Sequence, residues 1–141
     1  MRITAIHETS AALSSTMHNA VIDFSKMTIS VVAVVTDVQS DGRPVVGFGF
    51  NSNGRYAQGG VLRDRLIPRL LEADTDSLLD DAGMLDAARC HSCMMQNEKP
   101  GGHGERAFAV GALDTAIWDA VGKLEEKPLY KVFAERFNNG A

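Results

Sequence analysis

The chain has no excess of positive charge. Its 14 lysines and arginines stand against 18 acids, a net charge of −4, with both signs interspersed. A nucleic-acid surface needs a basic stripe to neutralise phosphates, so that partner is disfavoured. Cysteine is scarce as well. Cys90 and Cys93 are the whole supply, three residues apart in a segment that reads as a helix, which excludes a disulfide framework. Reduced thiols in a cytoplasm are the simplest account. Long hydrophobic runs are missing too: the longest largely apolar stretch, residues 29–35, is far too short to cross a bilayer, so no membrane partner is expected. The first residues show no basic segment leading into an apolar one, so a secretory signal is not expected. With 45% hydrophobic residues, disorder and fibrous classes are disfavoured, and 141 residues suit one domain with a workable core.

The chain contains well-marked strands and helices. Residues 2–9 read as a short strand, followed by a polar, irregular segment to Ser25 that contains SSTMHN. Residues 27–38 make the strongest strand signal. Its middle is apolar on both faces, which predicts a central position. Asp41-Gly42 is a hairpin turn signal, because that pair accepts positive φ cheaply. Val46, Phe48 and Phe50 then place an apolar face on a third strand at period two.

After the polar loop NSNGRYAQGG, helical spacing begins near Val61 and is interrupted at Pro68. Asp76 is a candidate cap for a short helix through residues 79–82, and Asp86 for another reaching about Gln96. Residues 107–133 carry the clearest amphipathic spacing, with Leu113, Ala116, Ile117, Ala120, Val121 and Leu124 on one face. Glu105 and Lys123 suit the helix dipole, and Pro128 stops the run. Gly111 and Gly122 each cost about 1 kcal/mol in a helix, a cost usually tolerated where another backbone comes close. A last helix is expected from Pro128 to about Phe137. Three meandering strands followed by a helical bundle make an α+β fold.

That amphipathic segment, Ala-x-Gly-Ala-Leu-Asp-x-Ala-x-Trp-Asp, then Gly122-Lys123 and Pro128-Leu129, resembles the N-terminal domain of the mandelate racemase/muconate lactonising group of the enolase superfamily. Val132-Phe133-Ala134 stands where the family pattern closes on a hydrophobic pair and a glycine. The resemblance implies an α+β capping domain over residues 1–137, with 138–141 beginning the connection to a (β/α)-barrel. A barrel needs about 200 residues or more, so it cannot lie in this chain. The segments NAVIDFSKMT, VVGFGFNSNGRYAQGG and MMQNEKPGGHGER are similar to the D-tartrate dehydratase branch of that group.

The most suggestive polar clusters fall in loops: His18-Asn19, residues 51–56 and residues 98–103. Asn19, Asn51 and Asn53 offer amide donors; Arg55 and Lys99 offer cations, a set suited to hydroxyls and a carboxylate. Ordinary solvated turns would look the same. In that branch, substrate contacts fall on residues matching Asn19, Asn53 and Lys99, with His18, Asn51 and Arg55 as weaker candidates. The resemblance further implies Mg²⁺ as cofactor, held on the barrel rather than here, and proton abstraction α to a carboxylate by barrel groups. No catalytic residue and no metal ligand carries over to this chain, so by itself it should be inactive. The expected partners are its own barrel, a small hydroxy-acid and further copies in a homo-oligomer. The runner-up is a cap for racemisation or for dehydration of another sugar acid, and the rival from another class is a stand-alone interaction module that has lost its barrel.

Other patterns are weaker. Cys90-His91-Ser92-Cys93 offers one thiol pair where structural zinc wants four ligands, and buried packing explains it more simply. Gly47-Phe48-Gly49 lies inside a strand, without the βαβ setting a phosphate loop requires. Gly59-Gly60 and Gly101-Gly102 suit either a closing lid or plain turns. His7, Trp118, Met94 and Met95 read as structural.

Overall fold

The computed structural model describes residues 1–54, 58–99 and 104–138, with backbone alone at 52–54. Three strands form one antiparallel meander in the order β1-β2-β3, with β1 Ile3–Ala12, β2 Thr28–Ser40 and β3 Arg43–Gly54. β2 is central, as its double-sided apolar pattern predicts. The β2–β3 turn forms at Asp41-Gly42, where both residues take positive φ (51° and 73°). The helices follow: α1 Gln58–Val61, a π-helical turn Leu62–Leu66, α2 Ile67–Glu72, α3 Ala87–Met94, α4 Glu105–Leu124 and α5 Leu129–Phe137.

The interruption at Pro68 takes the form of that π turn. Proline has no N–H to donate and its ring crowds the carbonyl four residues back, so the preceding turn widens instead of kinking. Asp86 caps α3 by accepting the Arg89 N–H at 3.0 Å. The short helix expected over residues 79–82 is absent. Asp74, not Asp76, caps a 3-10 turn at Thr75–Leu78, accepting from Asp76 N. The Asp80 carboxylate then takes the N–H groups of Ala82 and Met84, both at 2.9 Å, which closes a turn that helix geometry cannot share.

α4 packs against the sheet and buries Ala109, Ala112, Leu113, Ala116, Ile117, Ala120 and Val121. The core joins these to Val32 and Val34 of β2, Leu62, Leu66 and Leu70, and Met94 and Val132. The third strand corrects the sequence reading. Its large apolar residues do not face this core: Phe48 is 54% and Phe50 65% exposed. Gly47 and Gly49 take the inner face, where Ala112, Ala116 and Ala120 of α4 press against them. The other sheet face, with Val31, Ala33 and Val35 half-buried, is therefore apolar but open, and β2 is not buried on both sides.

The glycine pairs also depart from expectation. Gly59 and Gly60 lie inside α1 rather than at a hinge. Outside its own helix backbone, no atom of the described residues lies within 4 Å of where a Gly111 Cβ would sit, so no neighbouring backbone among them approaches it. Gly122 does meet a neighbouring backbone, with Lys127 O 3.1 Å from that position. Gly101-Gly102 lie outside the described residues.

Cys90 and Cys93 are both buried. Burial, with Asp86 the next largest influence, pushes the Cys90 thiol up to about 12, and burial also raises Cys93. Thiols held neutral in this way are poor nucleophiles. Iodoacetamide at pH 8 should leave both unmodified in the native chain and label both in denaturant; mass spectrometry showing native labelling of Cys90 would contradict the packing.

Candidate functional site

The meander and α4 together decide where the loop residues go. β1 ends where β2 begins, with Ala12 paired to Thr28, and β3 ends beside that same start, with Gly54 paired to Thr28 and Asn51 to Ser30. The segment between β1 and β2, which carries His18 and Asn19, and the C-terminal end of β3, which carries Asn51 and Asn53, thus share one end of the sheet. α4 runs antiparallel to β3: Phe108 O accepts from the Asn51 side chain, and Lys123 donates to Val46 O at the far end. The N-terminus of α4 therefore lies at the same end. Glu98 is tied to Arg106 in its first turn, which brings the Glu98-Lys99 pair there as well. Three segments far apart in sequence converge on one end of the sheet.

The segment after β1 is more ordered than its composition suggests. His18 and Asp23 form a β-bridge, and Phe24–Lys26 make a 3-10 turn. Asn19 Oδ1 accepts the N–H groups of Val21 and Ile22 at 2.9 and 2.8 Å, winding the turn tightly. That use spends the acceptor end of Asn19 and leaves its amide N–H groups on an exposed residue. His18 Nδ1 lies 3.3 Å from Thr16 O. The Ser25 hydroxyl and then the Ser25 N–H hold the Asp23 carboxyl below its ordinary range.

Asn51 turns inward. Its amide donates to Gln58 Oε1 and to Phe108 O, and its Oδ1 accepts from Ser30 N. With both donors spent, its side chain is a strut across the base of the loop from β3 to α1. Asn53 lies on β3 two residues on, where the backbone alone is described. Arg55 lies outside the described residues, as does His103. Gln58 is fully buried, and its amide nitrogen has no partner among the described residues.

Lys99 is exposed, and among the described residues it has no ion pair. Its neighbour Glu98 is the reverse, with a side chain only 3% exposed and three arginines on its two oxygens. Burial alone would raise the Glu98 carboxyl. The hydrogen bonds from Arg69 and Arg106, and the charges of Arg65 and Arg69, outweigh it and hold the group below its ordinary value.

Sequence reasoning missed this cluster and the Asn51–Gln58 strut. The one available signal was the i, i+4 spacing of Arg65 and Arg69 on a single helix face. Among the described residues, no group of three or more His, Cys, Asp or Glu could hold a metal ion. Two surface grooves of about 350 Å³ lie against α3, one lined by Arg89 and Ser92 among others and one by His91, Arg106 and Asp114. Neither includes Asn19, Asn51 or Lys99. No helix among the described residues is long and apolar enough to cross a membrane.

No protein-family model matches the chain. Among solved structures, it is similar to a mandelate racemase/muconate lactonizing enzyme-like protein from Rubrobacter xylanophilus, with 21% identity over 94% of this chain and a TM-score of 0.60. The likeness extends to the fold, an antiparallel three-stranded sheet followed by helices in an α+β arrangement. The chain spans 33% of that neighbour's length.

Proposed function

We propose that this chain is the substrate-capping domain of a Mg²⁺-dependent acid-sugar dehydratase, most like D-tartrate dehydratase, acting on D-tartrate or a similar small hydroxy-diacid. The observation that carries the reading is the convergence of the Asn19, Asn53 and Lys99 segments on one end of the sheet, next to the start of α4. A cap of this kind closes over a barrel, excludes water and supplies donors to the distal end of the substrate. Residues 1–137 form the cap and 138–141 begin the connection to the barrel. The catalytic base, the leaving-group acid and the Mg²⁺ ligands belong to that barrel. The described residues of this chain do not fit a metal ion, and no step of theirs runs through one. The assembled protein is a cytoplasmic homo-oligomer.

The exposed Phe48 and Phe50 support a domain of a larger body over a stand-alone module, because a freed module needs a polar replacement for covered surface. In the roles proposed here, the Asn19 and Asn53 amides meet substrate hydroxyls, and Lys99 meets the distal carboxylate. Removing one charge-assisted hydrogen bond costs a factor of about 10 to 100 in binding. Lys99→Met in the complete protein should therefore raise KM for the diacid by roughly that factor. An unchanged KM in steady-state assays would remove the assignment. The coding sequence beyond Ala141 is a cheaper check: a barrel with Lys-x-Lys, three spaced acids and a late histidine is expected there.

A further inference from the structure

Glu98 and Lys99 are adjacent and oppositely placed, one side chain sealed in and the other in solvent. The Glu98 carboxylate accepts from Arg65 and, at 3.0 Å, from Arg69 through Oε1, and from Arg106 at 3.1 Å through Oε2. These arginines come from the π-helical turn, from α2 and from α4. Arg69 also donates to Met94 O at 2.6 Å, where α3 ends. The backbone at 98 is thereby tied to three helices at once. Consecutive Cα atoms are about 3.8 Å apart, so Lys99 starts from a point fixed by those ties. From that point its side chain lies in solvent.

We propose that Glu98, with its three arginines, is a positioning residue that aims Lys99 at the substrate carboxylate. The inference rests on the assignment of Lys99 as a substrate contact. A buried carboxylate with both oxygens committed tolerates little displacement. A small misplacement of a binding group is enough to cost on the order of ten- to a hundredfold.

The test uses the complete protein with Glu98→Gln, Lys99→Met and the double substitution. Glu98→Gln should raise KM for the diacid by on the order of tenfold while kcat stays within about twofold. Glu98→Asp should recover part of the loss. In the Lys99→Met background, Glu98→Gln should add nothing further, because there is no ammonium left to aim. A merely structural role would instead multiply with Lys99→Met and lower the melting temperature and kcat together; that result overturns the proposal. Should Glu98→Gln fail to fold, Arg65→Gln, at a half-exposed arginine, decides the matter: a raised KM supports the proposal and an unchanged one overturns it. A Lys99→Met protein with unchanged KM removes the parent assignment and this inference together. An effect of Lys99→Met without one of Glu98→Gln removes only this one.

Discussion

Gly49→Ala should destabilise the domain by about 3 kcal/mol or more, the upper range for forcing a methyl into a packed interior. A Cβ there would stand 2.6 Å from Ala116 N and 3.1 Å from Ala116 Cβ. At Gly47 it would stand 2.5 Å from Ala120 N and 2.7 Å from Ala120 Cβ. The obstacles are helix backbone, so no rotamer change relieves them, and α4 would have to lift off β3. Gly111→Ala is the internal control. Outside its own helix backbone, nothing among the described residues lies within 4 Å of its added carbon, and alanine in a helix interior is favoured over glycine by about 1 kcal/mol. Thermal melts should therefore move in opposite directions, down by roughly 10 °C for Gly49→Ala and up by a few degrees for Gly111→Ala. A Gly49→Ala melt within error of wild type would mean that α4 and β3 are not in this close contact.

Those two glycines also show what can be read from a one-dimensional pattern. Alternation along residues 45–50 correctly says which side chains share a face, because the strand period is two. It does not say which face turns inward, and the usual preference for burying large apolar residues points the wrong way here. The deciding fact is how closely α4 lies against β3, set by an alanine row on a helix more than 60 residues away. Features fixed locally were legible: the apolar spacing of α4, the Asp41-Gly42 turn and the Asp86 cap. Features fixed by competition between local hydrogen bonds were less so. The Asp80 turn displaced a helix that spacing alone allowed.

The candidate site divides the same way. That the segments bearing Asn19 and Asn53 share one end follows from the meander, and so was implicit in the strand assignments. That Asn51 is a strut depends on a partner seven residues on and a carbonyl 57 residues on. The Glu98 cluster draws Arg65 and Arg69 from 33 and 29 residues back. Beyond the i, i+4 spacing of Arg65 and Arg69, no composition or spacing signal marks such pairings, because they exist only once helices from separate parts of the chain are stacked.

Asp119→Ala should cost about 1 to 2 kcal/mol and expose an edge that the native chain covers. Among the described residues β3 is an edge strand, so its outward N–H and C=O groups have no strand partner there. Asp119 Oδ2 accepts the Phe48 N–H at 2.7 Å and the Lys123 ammonium at 2.6 Å. Lys123 in turn donates to Val46 O at 2.9 Å and sits 4.9 Å from the centre of the Phe48 ring. The Trp-Asp and Gly-Lys pairs of the amphipathic segment thus supply one acceptor and one donor to the strand that α4 lies against. A hydrogen bond to a charged group is typically worth about 1.5 to 3 kcal/mol. The Asp119 side chain is 32% exposed, and solvent screening reduces that figure. Asp119→Asn keeps an acceptor for the amide while losing the attraction to Lys123, so it should fall between wild type and Asp119→Ala in urea denaturation. Asp119→Ala should also associate more at high concentration, because the freed Phe48 N–H and Val46 C=O flank exposed Phe48 and Phe50 and can pair with another chain. Equal stability for all three proteins, together with unchanged light scattering, would show that the edge is protected by something other than this pair.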